Sequence, residues 1–272
     1  MEFVVAGDRV YAYTGGRPLD PRRPTLVFLH GAANDHSVWG LQSRYLAWHG
    51  NNVLAVDLPG HGRSSGAVRP TVGALADWVV ALLDAAAVPA AALVGHSLGS
   101  LIALHAAAEH PDRVRAVALL GAAVPMTVSD ALLALAAADD HRALELINGW
   151  SYGPARQLGG AAMPGMWLAG NSLRLMERAA PGALHTDLAA CQNYTAGLAT
   201  AARVRCPTLL IVGERDLMAP PANARALAAA LTAPRVVTLA GAGHALMAEE
   251  PDAVLDALRG LPGMGDINGG RP

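Results

Sequence analysis

The chain has 272 residues, 53% of them hydrophobic, and a formal net charge of −2. That is enough apolar material for one large core, and there is no basic excess to suit nucleic acid or an anionic membrane surface. All its basic side chains are arginine, which excludes lysine Schiff-base chemistry. Cys191 and Cys206 are too few for a disulfide framework. Residues 1–8 lack a signal-peptide pattern, and no apolar run reaches the ~18 residues of a membrane span. The expectation is a cytoplasmic protein with a small-molecule substrate, no nucleic acid and no membrane, as a monomer or homodimer.

Residues 3–13 alternate loosely around Gly7-Asp8, a turn between two short strands. Residues 15–24 read as loop. Thr25-Leu26-Val27-Phe28-Leu29 is a continuous apolar run, the pattern of a strand buried on both faces. It ends at His30-Gly31-Ala32-Ala33-Asn34, and a helix is expected over 38–49. Asn52-Val53-Leu54-Ala55-Val56-Asp57 is the next buried strand. It runs into Leu58-Pro59-Gly60-His61-Gly62-Arg63-Ser64, a loop rich in turn formers. Helical spacing covers 72–87, where Pro89 stops it. The strand residues Ala91-Ala92-Leu93-Val94 then meet Gly95-His96-Ser97-Leu98-Gly99, and a helix is expected over 100–109. Val114 to Leu120 forms another strand, closed by Gly121.

From 122 to 202 no strand is expected. The segment is rich in Ala and Leu and broken by Gly153-Pro154, Gly159-Gly160, Pro164-Gly165 and Pro181-Gly182. It reads as short helices. Strands resume at 208–212 and 235–239, with helices over 221–231 and 251–258 and a loose tail from 263. Strands alternating with helices predict an α/β protein with a mostly parallel sheet and helices on both faces. Residues 1–121 and 203–272 form the core of that sheet, and 122–202 form a helical cap inserted over the strand ends.

The pentapeptide at 95–99 sits between a strand and a helix, the context a nucleophile elbow requires. Glycines flank Ser97 because the turn leaves no room for side chains. A serine hydroxyl needs a base, and the base an orienting acid. Both are expected past the ends of later strands, where ligands bind in a parallel α/β sheet. Gly213-Glu214-Arg215-Asp216 follows one such strand. Asp216 is the favoured acid and Glu214 its neighbouring alternative, whereas Gly121-Ala122-Ala123 after the earlier strand offers no carboxylate. His244 follows the last strand in a Gly-x-Gly-His loop and is the favoured base. His61 reads as a loop organiser, His30 as structural, and His96 as pointing away from the serine. An oxyanion needs donors: the backbone N–H of Leu98, and that of Ala32 or its neighbour Ala33.

Taken in order, His30-Gly31, the motif from Asp57 to Ser64, Gly95-His96-Ser97-Leu98-Gly99, Gly213-Glu214-Arg215-Asp216, Gly243-His244 and Glu250-Pro251 make the chain resemble the α/β-hydrolase fold family over residues 3 to about 260. The resemblance implies an eight-stranded, mostly parallel sheet, a helical cap after the sixth strand, and a Ser97–Asp216–His244 triad with no cofactor and no metal. A serine nucleophile departs from the dehalogenase and epoxide-hydrolase branches, which use Asp there. The elbow resembles those of simple esterases and lipases.

The expected function is hydrolysis of a carboxylic ester of a small apolar substrate through an acyl-enzyme. Lactone, thioester or carbon–carbon hydrolysis and acyl transfer are alternatives on the same triad, and a non-catalytic ligand receptor is a third reading. Trp150, Met163, Trp167, Met218 and Leu246 are the expected pocket residues, and Arg156 and Arg174 are candidates to meet a carboxylate or phosphate.

Overall fold

In a computed structural model of the protein, described over residues 1–163 and 165–262, eight strands form one sheet in the order β1-β2-β4-β3-β5-β6-β7-β8. They are β1 (Glu2–Val5), β2 (Asp8–Tyr13), β3 (Thr25–Leu29), β4 (Asn52–Val56), β5 (Ala91–His96), β6 (Val114–Leu120), β7 (Thr208–Gly213) and β8 (Arg235–Leu239). β1 and β2 pair antiparallel, and β2 meets β4 antiparallel. From β4 to β8 every pair is parallel. The tail from 263 lies outside the described residues.

β3, β4, β5 and β7 are buried along their whole length, as continuous apolar runs require when helices cover both faces. Alternate residues feed two cores. Leu26, Phe28, Val94, Ala118 and Ile211 pack with Trp39 and Leu46 against α1 (Gly40–Trp48) and α12 (Pro251–Arg259). Val27, Leu29, Leu93, Val117 and Leu210 face α2 (Val72–Ala85), α3 (Leu98–Glu109) and α10 (Pro221–Ala230). Each fully buried Leu or Phe here contributes about 1.5–3 kcal/mol relative to exposure.

The helix over 38–49 begins earlier than its spacing suggests. A 3-10 turn, His36–Trp39, precedes α1 and is capped by Asp35, whose side chain accepts from the Ser37 N–H. Local caps start the others. Thr71 accepts from Ala74 N–H ahead of α2, and Pro221 and Pro251 open α10 and α12, where a missing N–H costs nothing.

Between β6 and β7 lie only helices among the described residues: α4 (Asp130–Ala137), α5 (His141–Ser151), α6 (Pro154–Gln157), α7 (Leu168–Met176), α8 (Ala183–Gln192) and α9 (Gly197–Ala201). Ser129 and Asp140 cap α4 and α5. Leu132, Ala136, Ala143, Ile147, Met176, Leu184 and Leu188 form their own small core. The far end of the insertion is different: Ala190, Cys191 and Ala201 join the main core beside α3. Packing therefore changes within α8, earlier in the chain than residue 202. No described helix is long and apolar enough to cross a membrane. The remaining helix, α11 (Leu246–Glu249), follows β8.

Candidate active site

The pairing of neighbouring strands decides which loops meet. Leu29 of β3 is in register with Gly95 of β5, so the loop at 30–34 lies beside the turn at Ser97. Gly213 of β7 is in register with Leu239 of β8, so the loops carrying Asp216 and His244 run side by side. All four leave the C-terminal edge of the parallel sheet.

Ser97 sits at the tip of a sharp turn with φ +54° and ψ −119°, a strained conformation for a residue with a side chain. Its neighbours make the turn feasible. A Cβ on Gly95 would lie 2.1 Å from the Gly99 carbonyl oxygen, and one on Gly99 would lie 2.3 Å from that of Leu29. Helix α3 starts at the next residue, so its first N–H groups are raised beside the serine.

His244 Nδ1 donates to Asp216 Oδ2 at 2.8 Å, with both side chains almost fully buried. Asp216 Oδ1 accepts from Met218 N–H at 2.9 Å and Ala219 N–H at 2.7 Å. Burial acts to raise the Asp216 pKa. The His244 charge and hydrogen bond, with the two backbone donors, outweigh it and hold the carboxyl below its ordinary value. The bond to Asp216 fixes the proton on Nδ1 and leaves Nε2 as a free acceptor, buried and without a partner among the described residues. Glu214 stands apart, accepting from Gly241 N–H at 2.9 Å.

The loop after β3 resolves into two kinds of amide. Ala33 N–H donates to Asp187 Oδ2 at 3.0 Å. Ala32 N–H and Leu98 N–H have no partner among the described residues. Ala32, Ser97 and His244 all line one cavity of about 870 Å³ between the sheet edge and the inserted helices.

Of the expected pocket residues, Trp150 and Met218 line this cavity. Met163, Trp167 and Leu246 do not. Trp167 is 67% exposed on the outer surface, and Met163 also faces outward. Leu246 is completely buried in the core against α12, because it begins the short helix α11 rather than continuing the loop. Their places are taken by Met166, Leu168 and Met247. Arg174 lines the cavity, with Arg44 and Arg178, and is itself paired with Glu177 at 2.6 Å. Arg156 does not, being paired with Glu250 at 2.6 Å.

Several polar residues that shape the site stand out only in three dimensions. His96 lines the cavity rather than turning away, and it donates from Nε2 to the His244 carbonyl at 2.9 Å. Glu249, fully buried, accepts from Gly243 N–H through Oε1 and from Gly153 N–H through Oε2, at 2.9 and 2.8 Å. His244 and Ala245 N–H both donate to Ser151. The first cap helices are thus stapled to the histidine loop. Asp187 does the same for the loop at 30–34. Its one sequence signal is that it is the only acid in the stretch Ala183–Gln192.

Asp35, His36 and Asp57 bring potential metal-ligand atoms within 4.8 Å of one another. Three of their four carboxylate oxygens are already engaged. Asp57 Oδ1 accepts from the N–H and Nδ1 of His36 at 2.8 and 2.7 Å, its Oδ2 accepts from Arg63 N–H, and Asp35 caps the turn at Ser37. This cluster pins the loop at 57–64 against the turn before α1.

Comparison with known proteins agrees with this architecture. The pimeloyl-[acyl-carrier protein] methyl ester esterase of Xanthomonas campestris pv. campestris is 36% identical over 251 residues, covering 86% of this chain and 93% of that protein. The enzyme of the same name from Chromobacterium violaceum is 32% identical over 245 residues, covering 85% and 91%. The enol-lactonase of Burkholderia xenovorans LB400 superimposes with a TM-score of 0.84 over 95% of this chain and 98% of that one, at 24% identity, a likeness of fold. A family model described as the alpha/beta hydrolase family matches residues 26–257. The strand order, the turn at Ser97 and these matches agree: the chain belongs to the alpha/beta hydrolase family.

Proposed function

We propose that the protein hydrolyses carboxylic esters, with Ser97 as nucleophile, His244 as base and Asp216 as the acid that orients it. The observation that carries this reading is the state of His244. Its Nδ1 is held by a buried carboxylate while its Nε2 is buried, unpartnered and on the same cavity as Ser97.

His244 takes the Ser97 proton through Nε2 as Oγ attacks the acyl carbon. The resulting imidazolium is stabilised by Asp216, which remains ionised. The oxyanion is held by the N–H groups of Leu98 and Ala32, the two amides without partners. His244 then gives its proton to the departing alcohol. Water enters, His244 activates it, and the acyl-enzyme is hydrolysed. Residues 122–202 act as a cap that shields these steps from bulk water.

Ser97→Ala tests the reading. Turnover of a short p-nitrophenyl ester falls by roughly 10³-fold or more, and a fluorophosphonate probe no longer labels the protein. Undiminished turnover would sink the assignment.

A second reading concerns the acyl group. Arg44 and Arg178 line the cavity, as does Arg174, which is paired with Glu177 at 2.6 Å, and the described lining contains no carboxylate. That supports an ester whose far end is anionic or carried on an anionic partner, as in the acyl-carrier-protein methyl ester that names the Xanthomonas relative. Comparing kcat/KM for monomethyl and dimethyl esters of a short dicarboxylic acid discriminates the two, with the monomethyl ester expected to be preferred.

A further inference from the structure

Three segments converge on the carboxylate of Asp187. The residue lies on α8, in the inserted helices, and is 1% exposed. Its Oδ2 accepts from Ala33 N–H at 3.0 Å and faces His61 Nε2 at 2.9 Å. His61 belongs to the loop after β4, and its Nδ1 lies 3.0 Å from the Pro59 carbonyl oxygen. Oxygen acceptors on both ring nitrogens require both to donate. His61 is therefore an imidazolium in an ion pair, with each side chain 1% exposed.

The surroundings agree. Burial alone would lower the His61 pKa, but the hydrogen bond and charge of Asp187 outweigh it, with smaller help from Pro59 and Asp57, and the net direction is upward. The other ring facing it, His30, lies 5.1 Å away. Burial and the neighbouring His61 push its pKa down to about 4, so it stays neutral. The helix of Asp187 also carries the half-buried His185 and the buried Cys191 thiol, which burial pushes up and keeps protonated.

This pair holds more than a helix end. Ala33 has φ +53°, a left-handed conformation that an alanine keeps only when its surroundings impose it. Ala33 is packed into the core of the inserted helices. With its N–H tied to Asp187, the adjacent Ala32 N–H is the unpartnered amide on the cavity. A plain staple would need only a neutral acceptor. Here a full carboxylate is buried with its Oδ1 unpartnered, a costly arrangement.

We propose that the His61–Asp187 ion pair is the positioning element of the oxyanion loop, which it holds from the inserted helices so that the Ala32 N–H faces the reacting carbonyl. The inference rests on the reading of Ser97 as the nucleophile. It makes Asp187 a positioning residue that joins the cap to transition-state stabilisation.

Asp187→Asn is the test, since it keeps the shape and removes the charge. On a p-nitrophenyl ester kcat falls roughly 10- to 100-fold while KM changes less than about twofold, because the oxyanion donor acts in the transition state. The affinity of a phenylboronic acid, whose tetrahedral adduct places an oxygen in the same site, falls by a similar factor. A folded variant, judged by near-ultraviolet circular dichroism, with kcat and boronate affinity within about twofold of the parent overturns the proposal. If the variant does not fold, ¹⁵N-histidine NMR of the unaltered protein decides: a His61 that titrates above its ordinary value of 6.5, with both nitrogens protonated below its midpoint, is expected, and one that titrates at or below 6.5 overturns it. Ser97→Ala is run alongside. If it abolishes turnover while Asp187→Asn does not reduce it, this inference alone fails; if it leaves turnover intact, the nucleophile assignment fails and takes the inference with it.

Discussion

His96 Nε2 donates to the backbone carbonyl of His244 at 2.9 Å, with the two rings 4.7 Å apart. The residue before the candidate nucleophile therefore holds the loop that carries the candidate base. Burial, and then the neighbouring His244, push the His96 pKa down to about 3. The ring stays neutral, with its single proton on the nitrogen that meets the carbonyl.

Removing that donor frees a buried carbonyl next to the proposed catalytic residues. His96→Ala is expected to lose about 1–3 kcal/mol of stability in urea unfolding. It is also expected to lower kcat on a p-nitrophenyl ester by roughly tenfold, as His244 gains freedom. His96→Gln keeps a donor of similar reach and restores most of the stability. A stable, fully active His96→Ala protein would show that the Ser151 bonds alone fix the loop.

Glu249 is the second staple. Its two oxygens satisfy Gly243 N–H and Gly153 N–H separately, and a Cβ on Gly153 would lie 2.2 Å from the Gly241 carbonyl oxygen. A Cβ on Gly243 would likewise lie 2.6 Å from the Gly153 nitrogen, so the backbones are this close because Gly153 and Gly243 are both glycine. Glu249→Ala strands two buried donors and is expected to cost about 2–5 kcal/mol. Glu249→Gln retains one acceptor and costs about half as much. Thermal and urea unfolding measure both. A Glu249→Gln protein as stable as the parent would mean that side-chain volume, not the paired N–H groups, sets the cost.

The parallel core, the elbow and the strand-end loops were legible because each has a local signature. Buried parallel strands are continuous apolar runs, and a nucleophile turn needs glycines at fixed offsets. Trp167, Met163 and Leu246 misled because apolar character says a residue belongs in some core or cavity without saying which. Leu246 starts a one-turn helix that aims it at α12. His96, Glu249 and Asp187 were illegible as a group for one reason. Each acts through a partner at least 50 residues away or through a backbone amide, and neither leaves a pattern in the chain. His61 was half legible: its loop marks it as an organiser, but its partner lies 126 positions on.

Acid should weaken the protein in a defined window. His30 is completely buried; its Nδ1 donates to the Gly31 carbonyl and its Nε2 accepts from Leu58 N–H. Burial, and then the His61 charge, hold its pKa at about 4, below the 6.5 of an unfolded chain. The unfolded state therefore binds a proton that the native state refuses. Stability is complete above about pH 6.5 and falls toward pH 4. The whole loss is about 3 kcal/mol, since each tenfold difference in proton affinity between the two states is worth about 1.4 kcal/mol. Asp216 acts with the same sign in a lower window. Burial raises its pKa, but His244 and two backbone donors bring it below 3.8. Its contribution is present above that value and is lost only as pH falls through the native one. Urea unfolding at pH 7 and pH 4.5 is expected to show this loss together with that of His96, whose pKa of about 3 acts in the same direction, and His30→Gln is expected to make the pH dependence shallower without abolishing it.

The glycines separate positions where the fold forbids a methyl group from positions where it does not. Gly99 lies under the elbow, where a Cβ would sit 2.3 Å from the Leu29 carbonyl oxygen and 2.7 Å from that of His30. Both are backbone atoms of the β3 end, so neither can swing away as a side chain could. Gly99→Ala must therefore push α3 from β3 or open the turn at Ser97, and either movement displaces the Leu98 N–H. A stability loss of about 3 kcal/mol or more is expected, together with loss of activity. Gly149 is the counter-case. It lies in α5 on the exposed side, with nothing within 4 Å of a Cβ. Alanine there removes the entropy cost of a helical glycine, so Gly149→Ala is expected to gain about 0.5–1 kcal/mol with unchanged kcat/KM. Unfolding curves and esterase kinetics on the two variants check both. An active, stable Gly99→Ala protein would show that β3 and α3 can part at the elbow without moving the proposed oxyanion donor.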